Sequence, residues 1–324
     1  MKVILFGQRR NGTTMAFNMF RKIQELRCYY EPFHPKLIKH AFWNGRTEIE
    51  RDEKQVYHEY KLLEKELNKY FYPIGAPVLP VKQEIDEKYW TQGHSQYLSY
   101  LFNTSKNVLI QPVRVNYHLQ SMHANFPRAK FIWILRSPEG VVSSLMQKTS
   151  NLFQIRDTPF LFSNILNNAL KIYKFIGKSI FKNRYLHLQQ KSGFWSHDLI
   201  ANYIINHNPK YRKFKNYPIW FKLMISYYDS VEAVEKARQI IPSENFALIR
   251  YEDICHDPNY IMAEICKWIK LDCSKYNFRE DAFLKPSSVV RPDDKRWIWA
   301  NNELNDLIRQ NNPLWEFPSE TRIG

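Results

Sequence analysis

Hydrophobic residues along this chain alternate between short continuous runs and longer stretches with helical spacing. Runs at residues 2–6, 107–115, 129–136 and 245–253 have the length of buried strands, and stretches of helical periodicity separate them. Alternation of this kind predicts parallel strands that are joined by helices. We therefore expect an α/β fold with a central parallel sheet and helices on both of its faces.

The length and composition favour one domain. A chain of 324 residues that is 44% hydrophobic can bury a single large core, so we expect one domain over residues 1–324. Residues 151–216 are less regular and rich in Asn, Lys and aromatic side chains, and we interpret them as a helical basic insertion. No internal repeat or low-complexity tract is present in the sequence.

The charge points to an anionic partner. A formal net charge of +15 is compatible with a nucleotide, a nucleic acid, a sulfated or phosphorylated glycan, or an anionic membrane, and composition alone does not choose between them. The four cysteines show no C-x-x-C spacing, which favours reduced thiols and argues against a zinc site. No run approaches the roughly 18 apolar residues of a membrane span, so we expect a cytoplasmic protein.

The stretch GQRRNGTT, residues 7–14, lies between the first predicted strand and the helix that begins at Thr13. A sharp turn from a strand into a helix presents backbone N–H groups and the positive end of the helix to an anion. In nucleotide triphosphatases the second glycine of such a loop is followed by lysine, whereas Gly12 is followed by Thr13. The cations here precede the glycine, at Arg9 and Arg10. An ordinary basic turn is the alternative interpretation.

A second strand-to-helix turn carries an arginine and a hydroxyl. In FIWILRSPEGVVSSL, Arg136 ends the apolar run and Ser144 follows eight residues later, so both would lie near one helix N-terminus. A guanidinium, a hydroxyl and free backbone N–H groups suit a phosphate. The alternative is a capped helix with a solvent-facing arginine.

Together these segments resemble the sulfotransferases that use 3′-phosphoadenosine 5′-phosphosulfate (PAPS), most closely in the style of the carbohydrate sulfotransferases. GQRRNGTT is similar to the family's 5′-phosphosulfate loop, and RSPEGVVSS is similar to its 3′-phosphate motif. FPRAKFIWILR and LIRYEDICHDP resemble two further family segments, in the expected order. Asn11 replaces a small residue of the family loop, and Ser137 replaces the aspartate of R-D-P.

The resemblance implies a three-layer P-loop-like fold and a set of donor-binding residues. PAPS would be the donor and 3′,5′-bisphosphoadenosine (PAP) the product, with no metal ion required. The residues that match the family's donor-binding positions are Arg9, Arg10, Asn11, Gly12, Thr13, Thr14, Arg136 and Ser144. Arg291 and Arg296, in the segment RPDDKRWIW, match a late basic loop that closes over the 3′-phosphate, although a solvated basic turn is an equally good interpretation.

The segment CYYEPFHP resembles the E-P segment of carbohydrate sulfotransferases, whose glutamate acts as the catalytic base. The resemblance therefore implies Glu31 as the base and Arg10 as the group that stabilises the bridging oxygen. His34 is the rival base or an orienting group, because cytosolic family members use histidine. Arg114 matches an arginine of the carbohydrate enzymes and is a candidate for substrate binding. Glu31 could also be an ordinary surface carboxylate.

The charge of the basic insertion is relevant to which acceptor the protein binds. Ten lysines and arginines lie between Lys171 and Lys215, against one acid, Asp198. A basic amphipathic helix can lie on an anionic membrane or bind an acidic acceptor, and it can equally be a solvated helix that covers the core. We expect a hydroxyl-bearing acceptor, a glycan or glycolipid, with peripheral contact to an anionic membrane as an option and no nucleic acid.

Two rival hypotheses stay open at the level of sequence. The first is a P-loop nucleotide kinase, which would need a lysine after Gly12 and an acidic Mg²⁺ ligand. The second is a protein without catalytic activity that binds polyanions or membranes through the basic insertion.

Overall fold

In the computed structural model of the protein, the described residues are 1–34, 37, 56–71, 85–113, 115–149, 197–280, 295–310 and 320–323. Arg114, Arg291 and residues 151–196 of the predicted insertion lie outside them. The described remainder of that insertion is helical, with an α-helix at His197–His207 and a 3₁₀ helix at Pro209–Phe214.

Within the described residues, six strands form one sheet in the order β2-β3-β1-β4-β5-β6. The strands are β1 (Lys2–Phe6), β2 (Arg27–Tyr30), β3 (Val108–Gln111), β4 (Lys130–Leu135), β5 (Phe246–Arg250) and β6 (Arg322–Ile323). The first five pair in parallel, and β6 is antiparallel to β5. The α/β fold with a central, mostly parallel sheet is therefore confirmed.

Helices flank this sheet. The described α-helices are α1 (Thr13–Arg21), α2 (Glu64–Phe71), α3 (Gln92–Phe102), α4 (Leu119–Asn125), α5 (Pro138–Thr149), α6 (His197–His207), α7 (Ile219–Arg238), α8 (Tyr251–His256), α9 (Pro258–Trp268) and α10 (Lys295–Arg309). The predicted strand at residues 245–253 is shorter than expected, because the chain turns into α8 directly after Arg250.

The central strands are buried on both faces. Strand β1 lies between β3 and β4, with Val3 opposite Leu109 on one side and Lys130 on the other. Its residues Val3 to Phe6 are fully buried. Strands covered by helices on both sides have no solvent-facing row, which is why they appear in the sequence as continuous apolar runs instead of an alternating pattern.

The parallel arrangement positions the candidate site. Because β1 to β5 run in the same direction, the loops that follow them meet at one edge of the sheet, where ligands bind in open α/β sheets. These loops carry GQRRNGTT after β1, Glu31 after β2, Arg136 after β4 and Tyr251 after β5. The motifs that are far apart in the sequence are thus brought to one edge.

Two further findings concern the class of protein. None of the described helices combines the length and the apolar composition that a membrane crossing requires. The four cysteines form no disulfide, and three of them, Cys28, Cys266 and Cys273, are buried.

Candidate active site

The loop between β1 and α1 is fixed to strand β4 by close packing and a hydrogen bond. The Asn11 side chain, 1% exposed, donates from Nδ2 to the carbonyl of Ile134 over 2.9 Å. A Cβ atom on Gly7 would lie 2.7 Å from that same carbonyl oxygen, so the close approach requires glycine. Asn11, a departure from the family motif, therefore anchors the loop.

Two residues of this loop have a positive φ angle. Gly12 caps α1 with φ 89°, and Arg10 has φ 73°. Arginine rarely adopts this conformation, which costs roughly 1–3 kcal/mol and persists only where the surrounding structure enforces it. The backbone of the loop is therefore held in a specific shape at the positive end of α1.

The loop after β1 and the turn after β4 are joined directly. Arg10 Nε donates to Ser144 Oγ at 2.8 Å, and Arg136 Nη1 donates to the carbonyl oxygen of Arg10 at 3.1 Å. The two segments that the sequence assigned to separate phosphates thus share hydrogen bonds. Arg9, Arg10 and Arg136 concentrate positive charge at the edge of the sheet, an arrangement that suits an anionic ligand.

Arg136 is buried and held by aromatic residues. Its guanidinium lies 4.7 Å from the centre of the Tyr251 ring, and Tyr227 donates its hydroxyl to the Arg136 carbonyl at 2.6 Å. Arg136 is only 4% exposed. A cation stacked on an aromatic face and bonded to the loop has a fixed orientation. Burial raises the pKa of Tyr251, so this ring stays neutral beside Arg136.

Glu252 binds the backbone of Ser137, the residue that stands where the family motif has an aspartate. The backbone N–H of Ser137 donates to Glu252 Oε1 at 3.0 Å, and Ser137 Oγ accepts a hydrogen bond from the Gly140 N–H at 3.3 Å. Both bonds use backbone N–H groups at the start of α5. The first N–H groups of a helix have no acceptor within the helix itself, so they need partners of this kind. Glu252, from α8, therefore binds the backbone directly after Arg136, while its Oε2 lies 3.9 Å from Arg250 Nη2.

Glu31 and His34 lie at the end of β2, next to α1. Thr14 Oγ1 and the Tyr30 hydroxyl are 2.8 Å apart, which ties the start of α1 to the end of β2. Glu31 has φ 41°, and its carboxylate Oε2 lies 3.9 Å from His34 Nε2. Among the described residues, Arg10, Glu31 and Lys270 are the three non-glycine residues with a positive φ, and two of them belong to this site. Strained backbone clusters at functional sites.

Three predicted residues are not placed. Arg114 and Arg291 lie outside the described residues, and Arg296 falls in the described helix α10 without a described side chain. The remaining predicted residues lie at the same edge of the sheet. Among the described residues, no group of three or more His, Cys, Asp or Glu side chains could hold a metal ion.

Comparison with known proteins gives the family. A family model described as the sulfotransferase family matches residues 2–189, more than half of the chain. The chain belongs to the sulfotransferase family. The resemblance to sulfotransferases, and the P-loop-like fold that it implies, are thereby confirmed, and the family supports sulfotransfer as the activity. The carbohydrate style of the motifs stays a prediction. No curated protein matches this sulfotransferase by sequence.

Several solved structures align with most of the length of this sulfotransferase. A sulfotransferase from Alicyclobacillus acidocaldarius aligns over 95% of this chain and 95% of its own, at 11% identity and a TM-score of 0.44. The sulfotransferase domain of the Synechococcus PCC 7002 olefin synthase aligns over 98% of this chain and 95% of its own, at 11% identity and a TM-score of 0.48. A sulfotransferase from Mycobacterium avium aligns over 99% of this chain and 78% of its own, at 13% identity and a TM-score of 0.48.

Several residues at the site of this sulfotransferase were not singled out from the sequence. Tyr251 and Glu252 belong to the segment LIRYEDICHDP, which was matched to the family without a role for either residue. Both residues lie at the carboxyl end of the strand predicted at residues 245–253, and that position was the available signal. Tyr227 lies in the middle of α7 and contacts Arg136 through tertiary packing, so no local sequence signal could identify it.

Substituting Gly12 tests the shape of the loop. A methyl group at this position would overlap the Tyr251 ring, and alanine disfavours φ 89°. We expect Gly12→Ala to lower the free energy of unfolding by about 1–3 kcal/mol, measured by urea denaturation. Gly93→Ala is the matched control, because its Cβ would meet only Thr91 Oγ1 at 3.5 Å. Equal stability of the two variants would contradict the steric role of Gly12.

Proposed function

We propose that this sulfotransferase transfers the sulfuryl group of PAPS to a hydroxyl of a carbohydrate or glycolipid acceptor. The observation that carries the proposal is the hydrogen-bonded junction of the two anion-binding segments, in which Arg10 contacts Ser144 and Arg136 contacts the Arg10 carbonyl. A donor with phosphate groups at both ends of one nucleoside needs two such segments within reach of each other.

The residues of the junction fit the charge of this donor. Backbone N–H groups at the start of α1, with Arg9, Thr13 and Thr14, would hold the 5′-phosphosulfate at the positive end of the helix. Arg136 and Ser144 would hold the 3′-phosphate. Donor binding would redirect the Arg10 side chain, whose Nε now donates to Ser144 Oγ, towards the bound anion.

Two late arginines extend the proposed donor site. Arg291, which precedes α10 in the sequence, and Arg296, in the first turn of α10, would close over the 3′-phosphate. Arg114 would bind the acceptor from the loop after β3. These three assignments rest on the resemblance of the motifs.

Glu31 is the proposed base. The carboxylate would accept the proton of the acceptor hydroxyl as its oxygen attacks sulfur, and the electron pair of the broken S–O bond would leave with the bisphosphate. Two observations support this role: the strained backbone of Glu31 and the tie between Thr14 and Tyr30, which holds the end of β2 against the donor loop. His34, 3.9 Å from the carboxylate, would orient it or serve as the alternative base.

We also propose peripheral contact with an anionic membrane, which would present a glycolipid acceptor. The described end of the basic segment exposes Arg212, Lys213 and Lys215 beside the exposed rings of Tyr217 and Trp299. The two rings are parallel, with centroids 6.2 Å apart. Basic side chains next to tyrosine and tryptophan are the composition that binds a membrane interface.

The donor assignment predicts which nucleotide binds. We expect PAP to bind without Mg²⁺ and ATP to give no binding, measured by isothermal titration calorimetry. Arg136→Ala should weaken PAP binding about 10–150-fold, because a charged hydrogen-bonding group is lost. Arg279→Ala removes an exposed arginine elsewhere and should leave PAP binding unchanged. Binding of ATP with Mg²⁺ in preference to PAP would instead support a kinase.

Substitution of Glu31 tests the base. In an assay with the donor and an acceptor that the wild-type protein turns over, Glu31→Gln should lower kcat by about 10²–10⁴-fold. The variant should keep the affinity for PAP. The matched control Glu280→Gln changes an exposed carboxylate and should keep wild-type kcat. If Glu31→Gln keeps wild-type turnover while His34→Gln loses it, the base is His34.

The membrane contact predicts salt-sensitive retention. We expect vesicles that contain anionic lipid to retain the protein at low ionic strength and to release it at about 0.5 M salt, because the Debye length falls below about 5 Å. Trp299→Ser should reduce this retention, measured by co-sedimentation. Ile240→Ser, at a comparably exposed position elsewhere, is the control. Equal retention by neutral vesicles would rule out the electrostatic contact.

A further inference from the structure

The peptide group that precedes Glu31 lies on the last strand of the described sheet. Arg27 and Glu31 both donate their backbone N–H groups to carbonyl oxygens of the neighbouring segment 107–111, at 3.0 and 2.9 Å. Successive residues of a strand direct their backbone groups to opposite sides, and an edge strand leaves one of these sides unpaired. Tyr30 therefore directs its carbonyl away from β3, to the side where the described sheet has no further strand.

Tyr60 bonds to this carbonyl in place of a strand. It belongs to the 3₁₀ helix His58–Leu63, and its hydroxyl donates to the Tyr30 carbonyl at 3.0 Å in a buried hydrogen bond. Burial raises the pKa of Tyr60 well above its ordinary value, so the hydroxyl keeps its proton and stays a donor. A single side-chain hydroxyl therefore holds the outer side of the peptide group between Tyr30 and Glu31.

The ring of Tyr60 is fixed by its aromatic neighbours. Its centroid lies 5.1 Å from that of Tyr29 and 6.2 Å from that of Tyr57, and all three residues are buried. Side chains in close-packed interiors of this kind occupy one well-defined position. The Tyr60 hydroxyl therefore reaches the carbonyl from a rigid support, and a phenylalanine at this position would keep the ring and lose only the hydroxyl.

Three hydrogen bonds hold the backbone on either side of the Glu31 side chain. The peptide group before it is bound at its carbonyl by Tyr60 and at its N–H by the Gln111 carbonyl. The carbonyl of Glu31 itself accepts from the His34 N–H at 2.9 Å. Glutamate rarely adopts φ 41°, and such a conformation persists only where the surroundings enforce it. Of these three bonds, the one from Tyr60 is made by a side chain.

The carboxylate that this backbone carries is accessible. The Glu31 side chain is 22% exposed, and the contact between the Thr14 and Tyr30 hydroxyls keeps the end of β2 beside the donor loop. A catalytic base acts only within hydrogen-bond reach of the proton that it accepts. A displacement of about 1 Å can cost about 10²-fold in rate, so the backbone angle at Glu31 matters for proton removal.

We propose that Tyr60 is a positioning residue, which holds Glu31 in the strained conformation that directs its carboxylate towards the reacting hydroxyl. The inference rests on the proposed function, in which Glu31 is the base, and deepens it. Without the Tyr60 hydroxyl, the Tyr30 carbonyl would be buried without this donor, and the peptide group would rotate to find another partner. Glu31 would then relax from its positive φ angle, and its carboxylate would leave the position from which it accepts the proton.

Removal of one hydroxyl tests this role. We expect Tyr60→Phe to lower turnover by about ten-fold or more and to keep the KM for PAPS and the affinity for PAP, because the donor loop is unchanged. Turnover is measured as PAP released from PAPS, with water as the acceptor. Tyr29→Phe is the matched control on the same strand: it removes a hydroxyl bonded to Thr104 Oγ1 at 2.8 Å and should keep wild-type turnover. Tyr60→p-aminophenylalanine, which restores an N–H donor, should recover turnover.

A second measurement requires no turnover. In protein labelled with ¹³C at the glutamate carboxyl carbons, the Glu31 resonance is the one that Glu31→Gln lacks. We expect this resonance to shift in Tyr60→Phe and to keep its wild-type position in Tyr29→Phe, because only the first variant releases the peptide group beside Glu31. A general loss of stability would leave the resonance of the folded protein in place.

The outcomes separate this inference from the proposed function. An unshifted Glu31 resonance in Tyr60→Phe would overturn the positioning role, and so would an equal loss of turnover in Tyr60→Phe and Tyr29→Phe. Wild-type turnover in Tyr60→Phe, while Glu31→Gln is impaired, would overturn it as well and leave the base assignment intact. Wild-type turnover in Glu31→Gln would instead overturn the proposed base, and failure of PAP to bind would overturn the proposed function.

Discussion

The hydrogen bond from Arg136 to the carbonyl of Arg10 connects the two halves of the site. It joins the turn after β4 to the loop after β1, and the stacking of Arg136 on Tyr251 brings in the helix after β5. A buried guanidinium is costly unless its donors are satisfied and its charge is balanced. The Arg10 carbonyl accepts a hydrogen bond from this guanidinium, and the Tyr251 ring lies against its positive charge. Three loops from separate parts of the chain therefore hold one geometry, which is what an anion site needs before its ligand arrives.

The fold could be predicted from the sequence because its strands are short apolar runs. Strands β1, β3 and β4 lie close to the expected positions, since helices cover both faces of the sheet and force those residues to be hydrophobic. Strand β6 was not predicted: it has two residues and is set by antiparallel pairing to β5, a tertiary interaction without a local pattern. Likewise, the end of the predicted strand at residues 245–253 is helical because tertiary context decides where β5 stops.

Residues of the site could be predicted where they belong to a motif that the chemistry requires. They could not be predicted where tertiary packing brings them to the site. Arg10, Gly12, Arg136 and Ser144 lie in recognisable segments, and the fold brings them to one edge. The hydrogen bond between Glu252 and the Ser137 N–H was missed because its two partners belong to different strand-to-helix turns. Tyr227 gave no signal, because it contacts Arg136 only through the tertiary packing of α7.

The backbone of Glu31 has a practical consequence for engineering. A glycine would adopt φ 41° more readily than glutamate, so replacing Glu31 would relieve strain at this position. Directed evolution that scores only heat resistance would therefore favour loss of the proposed base. Selection for more stable variants of this enzyme must therefore also measure activity. The strained backbone of Glu31 lowers the stability of the fold, and the same residue is the one we assign to proton removal.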